Sequence, residues 1–364
     1  MVDRRQFLSA GAACLAASAI GGVSRAAERP GQPEAVEGFE LSVQPGRVFK
    51  RSADQNRLRH EQWVFTLVLL SREPREVQIE RLTIRNAAGT TVRSETTYPQ
   101  AVANAINLVP AVAAQPARDR YPVAAFQVAD SMAGALAIDR VACELAWRRD
   151  GKQEHLAREF PLETYRQRTE LIFPFVGRGL ITQGGAWNDG HRNRSGAFAI
   201  DAIGLGDVYA MMVADGDAPA ATAGWGRAII APAAGTVVVA RGDRPDQPVV
   251  GVSDPKYFAP EFPQGGDPGN HCVIDHGNGE FSLVAHLQQG SLRVRIGDHV
   301  VQGQPLGRLG NSGDSSAPHV HHQLQSGPQW TNADALPHAY RNGPRQHHDR
   351  GAIFDAIEGA APSA

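Results

Sequence analysis

The sequence predicts an all-β protein, with a β-sandwich-like N-terminal domain followed by a second β-rich domain that carries long loops. Three observations support this prediction. Short apolar segments mostly alternate with polar residues, 38 glycines and 24 prolines provide frequent turns, and little of the chain requires a helix of more than a few turns. A chain of 364 residues is long enough for two domains of ordinary size.

Residues 1–26 have the features of an export signal. Arg4 and Arg5 precede a weakly apolar, alanine-rich run that extends to Gly22. The paired arginines resemble a twin-arginine signal, which exports folded proteins; an ordinary secretory signal is the alternative. We expect cleavage near Ala26 and a periplasmic or secreted mature protein without a stable membrane span, because the run is short and rich in small residues.

Residues 28–165 form the first predicted domain, a β-rich accessory domain. Its predicted strands are Phe39–Val43, Trp63–Leu70, Val77–Ile84, Thr90–Thr97 and Ala135–Trp147. The segment Asn86–Gly89 is a predicted turn. No part of this region gathers histidines with carboxylates, so the sequence does not indicate its function.

Residues 171–330 form the second predicted domain, and residues 331–364 a C-terminal extension. The predicted strands of the second domain are Phe198–Ile200, Thr236–Ala240, Cys272–Asp275, Glu280–Leu287, Val294–Val301 and His319–Leu324. Asn278–Gly279 predicts a tight hairpin, and 204–226 is a predicted insertion loop. In the extension, we expect a helix at Gly351–Glu358 and a disordered tail at Gly359–Ala364.

Charge and cysteine content narrow the range of functions. A formal net charge of -2 at pH 7 provides no long-range attraction for nucleic acid, so we expect no nucleic-acid partner. Removal of the signal leaves Cys143 and Cys272, too few for a disulfide framework or a thiolate zinc site. A disulfide between them would have to link the two predicted domains, so we favour two buried thiols. Any metal must use histidine and carboxylate ligands.

Histidines are concentrated in the second half of the chain, where ten of the thirteen lie after residue 270. The clearest pattern is the His-x-His of the last predicted strand. Residues two apart on a strand share a face, so His319 and His321 should project side by side while His322 faces away. Two imidazoles this close can serve one metal ion; a polar edge strand with incidental histidines is the alternative.

Three further residues are candidates for the same site. His286 ends an apolar strand on the face shared with Val284 and Ser282, where it needs a hydrogen-bonding partner or a metal. Asp201 ends another short apolar strand and either caps a turn or binds metal. His191 lies in a polar loop, where an exposed side chain is the alternative.

Together these stretches resemble the lysostaphin/LytM-type peptidoglycan endopeptidases. The similar stretches are GNHCVIDHGNGEFSLVAHL at 269–287, VRIGD at 294–298, GQ at 303–304, GNSG at 310–313 and PHVH at 318–321. The resemblance covers residues 171–330. It implies an antiparallel β metallopeptidase core with a groove for an extended peptide.

The resemblance also implies a catalytic zinc site. Residue by residue, it assigns His191, Asp201 and His321 as ligands of Zn²⁺, and His286 and His319 as the two unliganded active-site histidines. Three protein ligands leave the fourth tetrahedral position for a water, whose proton can be lost near neutral pH. His286 and His319 would then act as general base and as stabiliser or proton donor for the tetrahedral intermediate.

The sequence departs from the family pattern at two places. The best-known members have three residues between the first histidine and the aspartate, whereas nine separate His191 from Asp201. The strict spacing falls on Ala197, which cannot bind metal. Relatives with a Trp-Asn-rich loop carry their histidine further upstream, and the WNDGH sequence ending at His191 is similar to that variant. The second departure is His322, where an aromatic is usual; we predict a packing or hydrogen-bonding role for it.

We therefore expect an exported, monomeric zinc metalloendopeptidase that cleaves peptide bonds in peptidoglycan stems or cross-bridges. Two alternatives stay open: a non-catalytic LytM-like protein that binds peptidoglycan or activates an amidase, and a metallopeptidase that acts on proteins outside the cell wall. A lipoyl- or biotinyl-like carrier is excluded, because none of the three lysines lies in a suitable hairpin.

Overall fold

The computed structural model describes residues 34–36, 39–44, 47–55, 58–71, 77–96, 121–149, 152–184, 191, 195–206, 216–258, 266–331, 333–342 and 351–356. The predicted signal and the predicted disordered tail lie outside these residues. The chain divides into two compact units, Met1–Tyr165 and Arg166–Ala364. The described elements are strands and three 3₁₀ helices, Gly134–Leu136, Pro219–Ala221 and Pro255–Phe258. The all-β prediction is therefore confirmed. Within the described ranges, no helix has the length and apolar character needed to cross a membrane.

The first unit contains nine described strands. They are β1 (Glu34–Val36), β2 (Phe39–Gln44), β3 (Val48–Gln55), β4 (Leu58–Ser71), β5 (Val77–Asn86), β6 (Thr91–Thr96), β7 (Tyr121–Ala133), β8 (Ile138–Arg149) and β9 (Lys152–Thr164). Their hydrogen-bonded order is β1-β2-β4-β3-β9-β8-β5-β6, with β7 paired to β4. Strands β1, β3, β7 and β9 are additions to the predicted set.

Strand β9 links two groups of strands within the sheet of this unit. Its residues 152–161 pair with β8, and its last three residues pair in parallel with β3. Trp63 and Phe65 share a face of β4 and are buried. The Phe65 ring centroid lies 5.5 Å from that of Phe160 on β9. Trp63 and Phe65 therefore belong to the core of the first unit.

The second unit is built on an antiparallel sheet. Its strands are β10 (Gly177–Gly184), β11 (Ile200–Gly204), β12 (Ala228–Ile230), β13 (Gly235–Arg241), β14 (Asn270–Asp275), β15 (Phe281–Leu287), β16 (His299–Val300), β17 (Pro305–Arg308), β18 (Val320–Gln325), β19 (Ala335–Leu336) and β20 (Ile353–Ala356). The order is β16-β13-β14-β15-β18-β11-β10-β20, and β19 pairs with β18. Strands β12 and β17 form a separate pair.

The predicted hairpin forms the centre of this sheet. Strands β14 and β15 pair across the turn at Asn278, as the Asn-Gly sequence predicts. The adjacent Glu280 is 1% exposed, and its carboxylate accepts hydrogen bonds from the backbone N–H groups of Arg168 (2.8 Å) and Thr169 (2.7 Å). This buried carboxylate therefore ties the start of the unit to the central hairpin.

The prediction of a helix at Gly351–Glu358 is wrong. The described part of this segment contains strand β20, Ile353–Ala356, in which alternate residues are buried. That burial pattern has the period of a strand rather than of a helix. Phe354 packs against Phe173 with ring centroids 4.6 Å apart. A glycine is required opposite, because a Cβ on Gly179 would lie 2.5 Å from the Phe354 ring.

In the structure, the bounds of two strands differ from the predicted ones. Strand β11 begins at Ile200, so Asp201 lies inside a strand instead of at its end. Only His299–Val300 is strand within the predicted segment Val294–Val301. A turn replaces the rest, because Gly297 has a φ of 93° and Asp298 accepts a hydrogen bond from a backbone N–H three residues earlier.

Candidate metal centre

The register of three central strands defines the site. Asp201 on β11 is directly opposite His321 on β18, and His321 is opposite Ala285 on β15. Residues that are directly opposite in a sheet project from the same face. Asp201 and His321, 120 residues apart in the chain, are therefore neighbours.

Asp201 is the centre of a cluster of histidines. Its Oδ1 lies 2.9 Å from Nδ1 of His321, and its Oδ2 lies 3.1 Å from Nε2 of His191. Nε2 of His319 lies 3.7 Å from the same Oδ2. The structure thus brings His191 to Asp201 despite their stretched spacing, and it places both histidines of the His-x-His pattern beside the same carboxylate.

His319 reaches the cluster differently from the prediction. Strand β18 begins at Val320, so His319 precedes the strand. Strand β11 pairs only as far as Val320. His319, which precedes Val320, is therefore not paired with β11. Its ring instead contacts the carbonyl oxygen of Ala317, which lies 2.7 Å from Nδ1 of His319.

His286 is placed by a β-bulge. Regular alternation on β15 would put His286 on the face of Val284 and Ser282, away from Ala285 and the site. Instead, its backbone is left-handed, with a φ of 60°, at a register shift between β14 and β15. The ring lies on the site side, with its centroid 4.5 Å from that of His319. The predicted shared face is therefore wrong, and the bulge is the reason.

Backbone carbonyls determine the tautomers of His286 and His319. Nδ1 of His286 lies 2.8 Å from the carbonyl oxygen of Ser312, and Nδ1 of His319 contacts the Ala317 carbonyl. A carbonyl oxygen can only accept, so each Nδ1 must carry the hydrogen. Each neutral ring therefore leaves Nε2 as an acceptor. The sequence prediction gave neither Ser312 nor Ala317 a role in the site, because a backbone carbonyl gives no side-chain signal.

Charge and burial shift the pKa values of these groups. Burial would raise the pKa of Asp201, but the neighbouring His191 and His319 and the hydrogen bonds to histidine outweigh it and hold that pKa well below its usual range. Burial lowers the pKa of His319, and burial with the charges of nearby histidines lowers the pKa of His286 further. For His321, the hydrogen bond and charge of Asp201 outweigh burial and raise the pKa.

The donor set fits a zinc ion. Candidate ligand atoms of His191, Asp201 and His321 all lie within 4.8 Å of one another. Tetrahedral zinc with bonds of about 2.0–2.2 Å needs ligand atoms about 3.3–3.6 Å apart. The separations of 3.1 Å from Oδ2 and 2.9 Å from Oδ1 of Asp201 are a few tenths of an ångström shorter, so small side-chain shifts suffice to admit the ion. Two imidazoles and a carboxylate are also typical ligands of catalytic zinc.

A second cluster of polar side chains lies on the opposite face of β18. His322 is fully buried, with Nδ1 against the hydroxyl of Tyr340 and Nε2 3.2 Å from Oγ of Ser282. His338 Nε2 lies 3.1 Å from the same tyrosine hydroxyl, and His276 Nε2 lies 2.9 Å from Ser282 Oγ. His322 therefore faces away from the site and is hydrogen-bonded, as predicted.

Cys272 is a free, buried thiol whose pKa is raised by burial to about 12. It is therefore not in a disulfide. The side chain of Cys143 lies outside the described residues, so the prediction of a second buried thiol stays a prediction.

Part of the sequence is similar to known proteins. The sequence model of peptidase family M23 matches residues 218–333. This range includes His286, His319 and His321, and it begins after Asp201. A peptidoglycan DD-endopeptidase, ShyA of Vibrio cholerae serotype O1, is 39% identical over 56 residues, which are 15% of this chain and 13% of that protein. The chain thus matches only a small part of the length of this curated relative.

Several solved structures are also similar to this chain. The catalytic domain of the M23 protein EnpA from Enterococcus faecalis is 21% identical, with 46% of this chain and 94% of that chain covered and a TM-score of 0.28. The catalytic domain of lysostaphin from Staphylococcus simulans is 17% identical, with 46% and 88% covered and a TM-score of 0.25. A zinc-containing peptidase from Vibrio cholerae is 14% identical, with 75% and 80% covered and a TM-score of 0.28.

The family match contains the stretches that the sequence shares with LytM-type enzymes, including both histidines of the His-x-His pattern. Residues 218–333 are therefore similar to peptidase family M23, and the predicted resemblance to the lysostaphin/LytM-type peptidases is confirmed.

Proposed function

We propose that this chain is an exported zinc metalloendopeptidase that cleaves peptide bonds in peptidoglycan. The observation that carries the proposal is the cluster around Asp201, where His191 and His321 contact its two oxygens and two further histidines lie beside it. The M23 match supports peptide-bond hydrolysis as the reaction. The sequence similarity to a peptidoglycan DD-endopeptidase supports the substrate class.

His191, Asp201 and His321 would hold the metal, with Nε2, the carboxylate and Nδ1 as donor atoms. When bound there, Zn²⁺ would polarise the scissile carbonyl and lower the pKa of an attacking water. The carboxylate of Asp201 offsets part of the charge of the cation and keeps both imidazoles oriented toward it.

His286 and His319 would transfer the proton of the attacking water, as general base and general acid. Both present an unprotonated Nε2, because Nδ1 donates to a backbone carbonyl. Their ring centroids are 4.5 Å apart, so two positive charges on the pair are disfavoured and only one of the two rings takes up an additional proton at a time. One Nε2 accepts the proton of the attacking water and later returns it to the leaving amine nitrogen.

The test uses the purified chain with zinc added or removed by a chelator, incubated with muropeptides and, separately, with an unfolded protein. We expect mass spectrometry to detect new muropeptide fragments with zinc only. His319→Ala should retain zinc and lose cleavage. A zinc-loaded wild type that binds muropeptides without cleaving them would favour the non-catalytic alternative. Cleavage of the unfolded protein alone would favour a peptidase acting outside the cell wall.

A further inference from the structure

Two glutamines follow His321 on the same face of β18. Gln323 and Gln325 are spaced at intervals of two and are 4% and 0% exposed. Their partners across the β15 pairing are apolar, Leu283 and Phe281. A buried amide among apolar side chains is costly unless it is hydrogen-bonded, so the contacts of these two amides need an explanation.

The glutamines form a hydrogen-bonded chain with a fixed direction. The chain begins at the carbonyl oxygen of Gly327, which can only accept, so Nε2 of Gln325 donates to it over 2.6 Å. Oε1 of Gln325 therefore faces Gln323 and accepts from its Nε2. Oε1 of Gln323 is then directed at Nε2 of His321, 2.9 Å away. Because this oxygen can only accept, Nε2 of His321 must carry the hydrogen.

A hydrogen on Nε2 of His321 determines the state of the other ring nitrogen, Nδ1. A neutral ring with hydrogen on Nε2 has a lone pair on Nδ1, which lies 2.9 Å from a carboxylate oxygen of Asp201. Two acceptors at this distance repel unless a cation lies between them, which is either a proton on Nδ1 that hydrogen-bonds to Asp201 or a metal ion. The chain of glutamines thus prepares Nδ1 as a metal donor.

We propose that Gln323 is a positioning residue that fixes the tautomer and ring orientation of His321 for metal binding. The proposal rests on the proposed zinc site and adds a residue that the family resemblance did not assign. Hydrogen-bond partners of metal-binding histidines typically change metal affinity by about 10–100-fold when they are removed. A similar loss is expected when Gln323 loses its oxygen.

The experiment measures zinc affinity of the full chain by competition with a coloured chelator. We expect Gln323→Leu to weaken zinc binding about 10–100-fold. The matched control is Gln247→Leu, since Gln247 is 5% exposed, donates to the carbonyl of Gly313 and has no described contact with the three candidate ligands. This control should leave zinc affinity unchanged.

Gln323→Glu separates positioning from packing, because it restores an acceptor for His321 while adding a buried charge. We expect zinc affinity to return to the wild-type value or above it. If Gln323→Leu does not fold, Gln325→Leu provides the second test, since Gln323 then loses the contact that orients its amide, and zinc binding should again weaken.

The outcomes are distinguishable. A wild-type chain that binds no zinc would overturn the proposed function itself. Zinc binding by the wild type with an equal affinity in Gln323→Leu, or in Gln325→Leu, would overturn the positioning role alone. Loss of affinity in Gln323→Leu that Gln323→Glu fails to restore would also count against it, because packing would then be the cause.

Discussion

Replacing His286 by glycine should leave the metal-free protein more stable than replacing it by alanine. The order expected inside a strand is the reverse, because glycine loses more backbone freedom on folding. The reason for the inversion is the left-handed backbone of His286, with a φ of 60° at the bulge of β15. We infer that this strain persists because it turns the imidazole toward the site.

The magnitude follows from two opposing contributions. The left-handed conformation costs an L-residue about 1–2 kcal/mol, which alanine retains and glycine avoids. The extra freedom of glycine in the unfolded chain costs about 0.5–1 kcal/mol. Both variants lose the same hydrogen bond from Nδ1 of His286 to Ser312, so that loss cancels. The remaining difference favours glycine by about 1 kcal/mol.

The assay is thermal and urea unfolding of both variants with a chelator present, so that metal binding does not contribute. A difference of this size raises the melting temperature by about 2–4 °C for a unit of this length. Ala285→Gly is the control, because Ala285 is the adjacent strand residue and does not have a positive φ. It should destabilise by at least about 0.5–1 kcal/mol, because the backbone penalty of glycine adds to the loss of the methyl group of a residue that is 1% exposed. An alanine variant at His286 as stable as the glycine variant, or more stable, would refute the reasoning.

Three further predictions concern stability and reactivity. Tyr340→Phe removes the hydroxyl between His322 and His338 and should lower the free energy of unfolding by about 1–3 kcal/mol; unchanged urea unfolding would contradict this. Glu280→Gln turns an amide N–H₂ toward one of two backbone N–H donors, so it should lower the free energy of unfolding by about 1–3 kcal/mol. A melting temperature equal to that of wild type would argue against this prediction. Because the pKa of Cys272 is about 12, its reactive thiolate is scarce below that pH. Iodoacetamide at about pH 8 should therefore alkylate Cys272 only in unfolded protein. Equal alkylation rates in folded and unfolded protein would show that the thiol is not buried and neutral.

Local sequence signals predicted the centre of the second unit well. The Asn-Gly turn and its apolar flanks predict the β14–β15 hairpin, and the run after Pro318 predicts most of β18. In the first unit, β3 and β9 were missed because they contain many charged residues. Such strands are formed by pairing with partners distant in sequence, as β9 does with β3, and not by a local apolar pattern.

The sequence allowed the residues of the candidate site to be named, but it did not reveal their geometry. The residues came from a family resemblance, whereas their contacts depend on long-range register, such as Asp201 opposite His321. The bulge that re-aims His286 depends on tertiary packing that a period-2 pattern cannot reveal. Gln323 did carry a signal that the prediction overlooked, since it lies two residues after a candidate ligand on the same strand face.

The central claim is that Asp201 and His321, with His191, hold the catalytic metal. A crystal of the zinc-loaded chain, with anomalous diffraction recorded on both sides of the zinc absorption edge, tests it most directly. We predict one strong peak about 2.0–2.2 Å from Nε2 of His191, a carboxylate oxygen of Asp201 and Nδ1 of His321. A peak coordinated through Nε2 of His321, or no zinc peak between Asp201 and His321, would contradict the account.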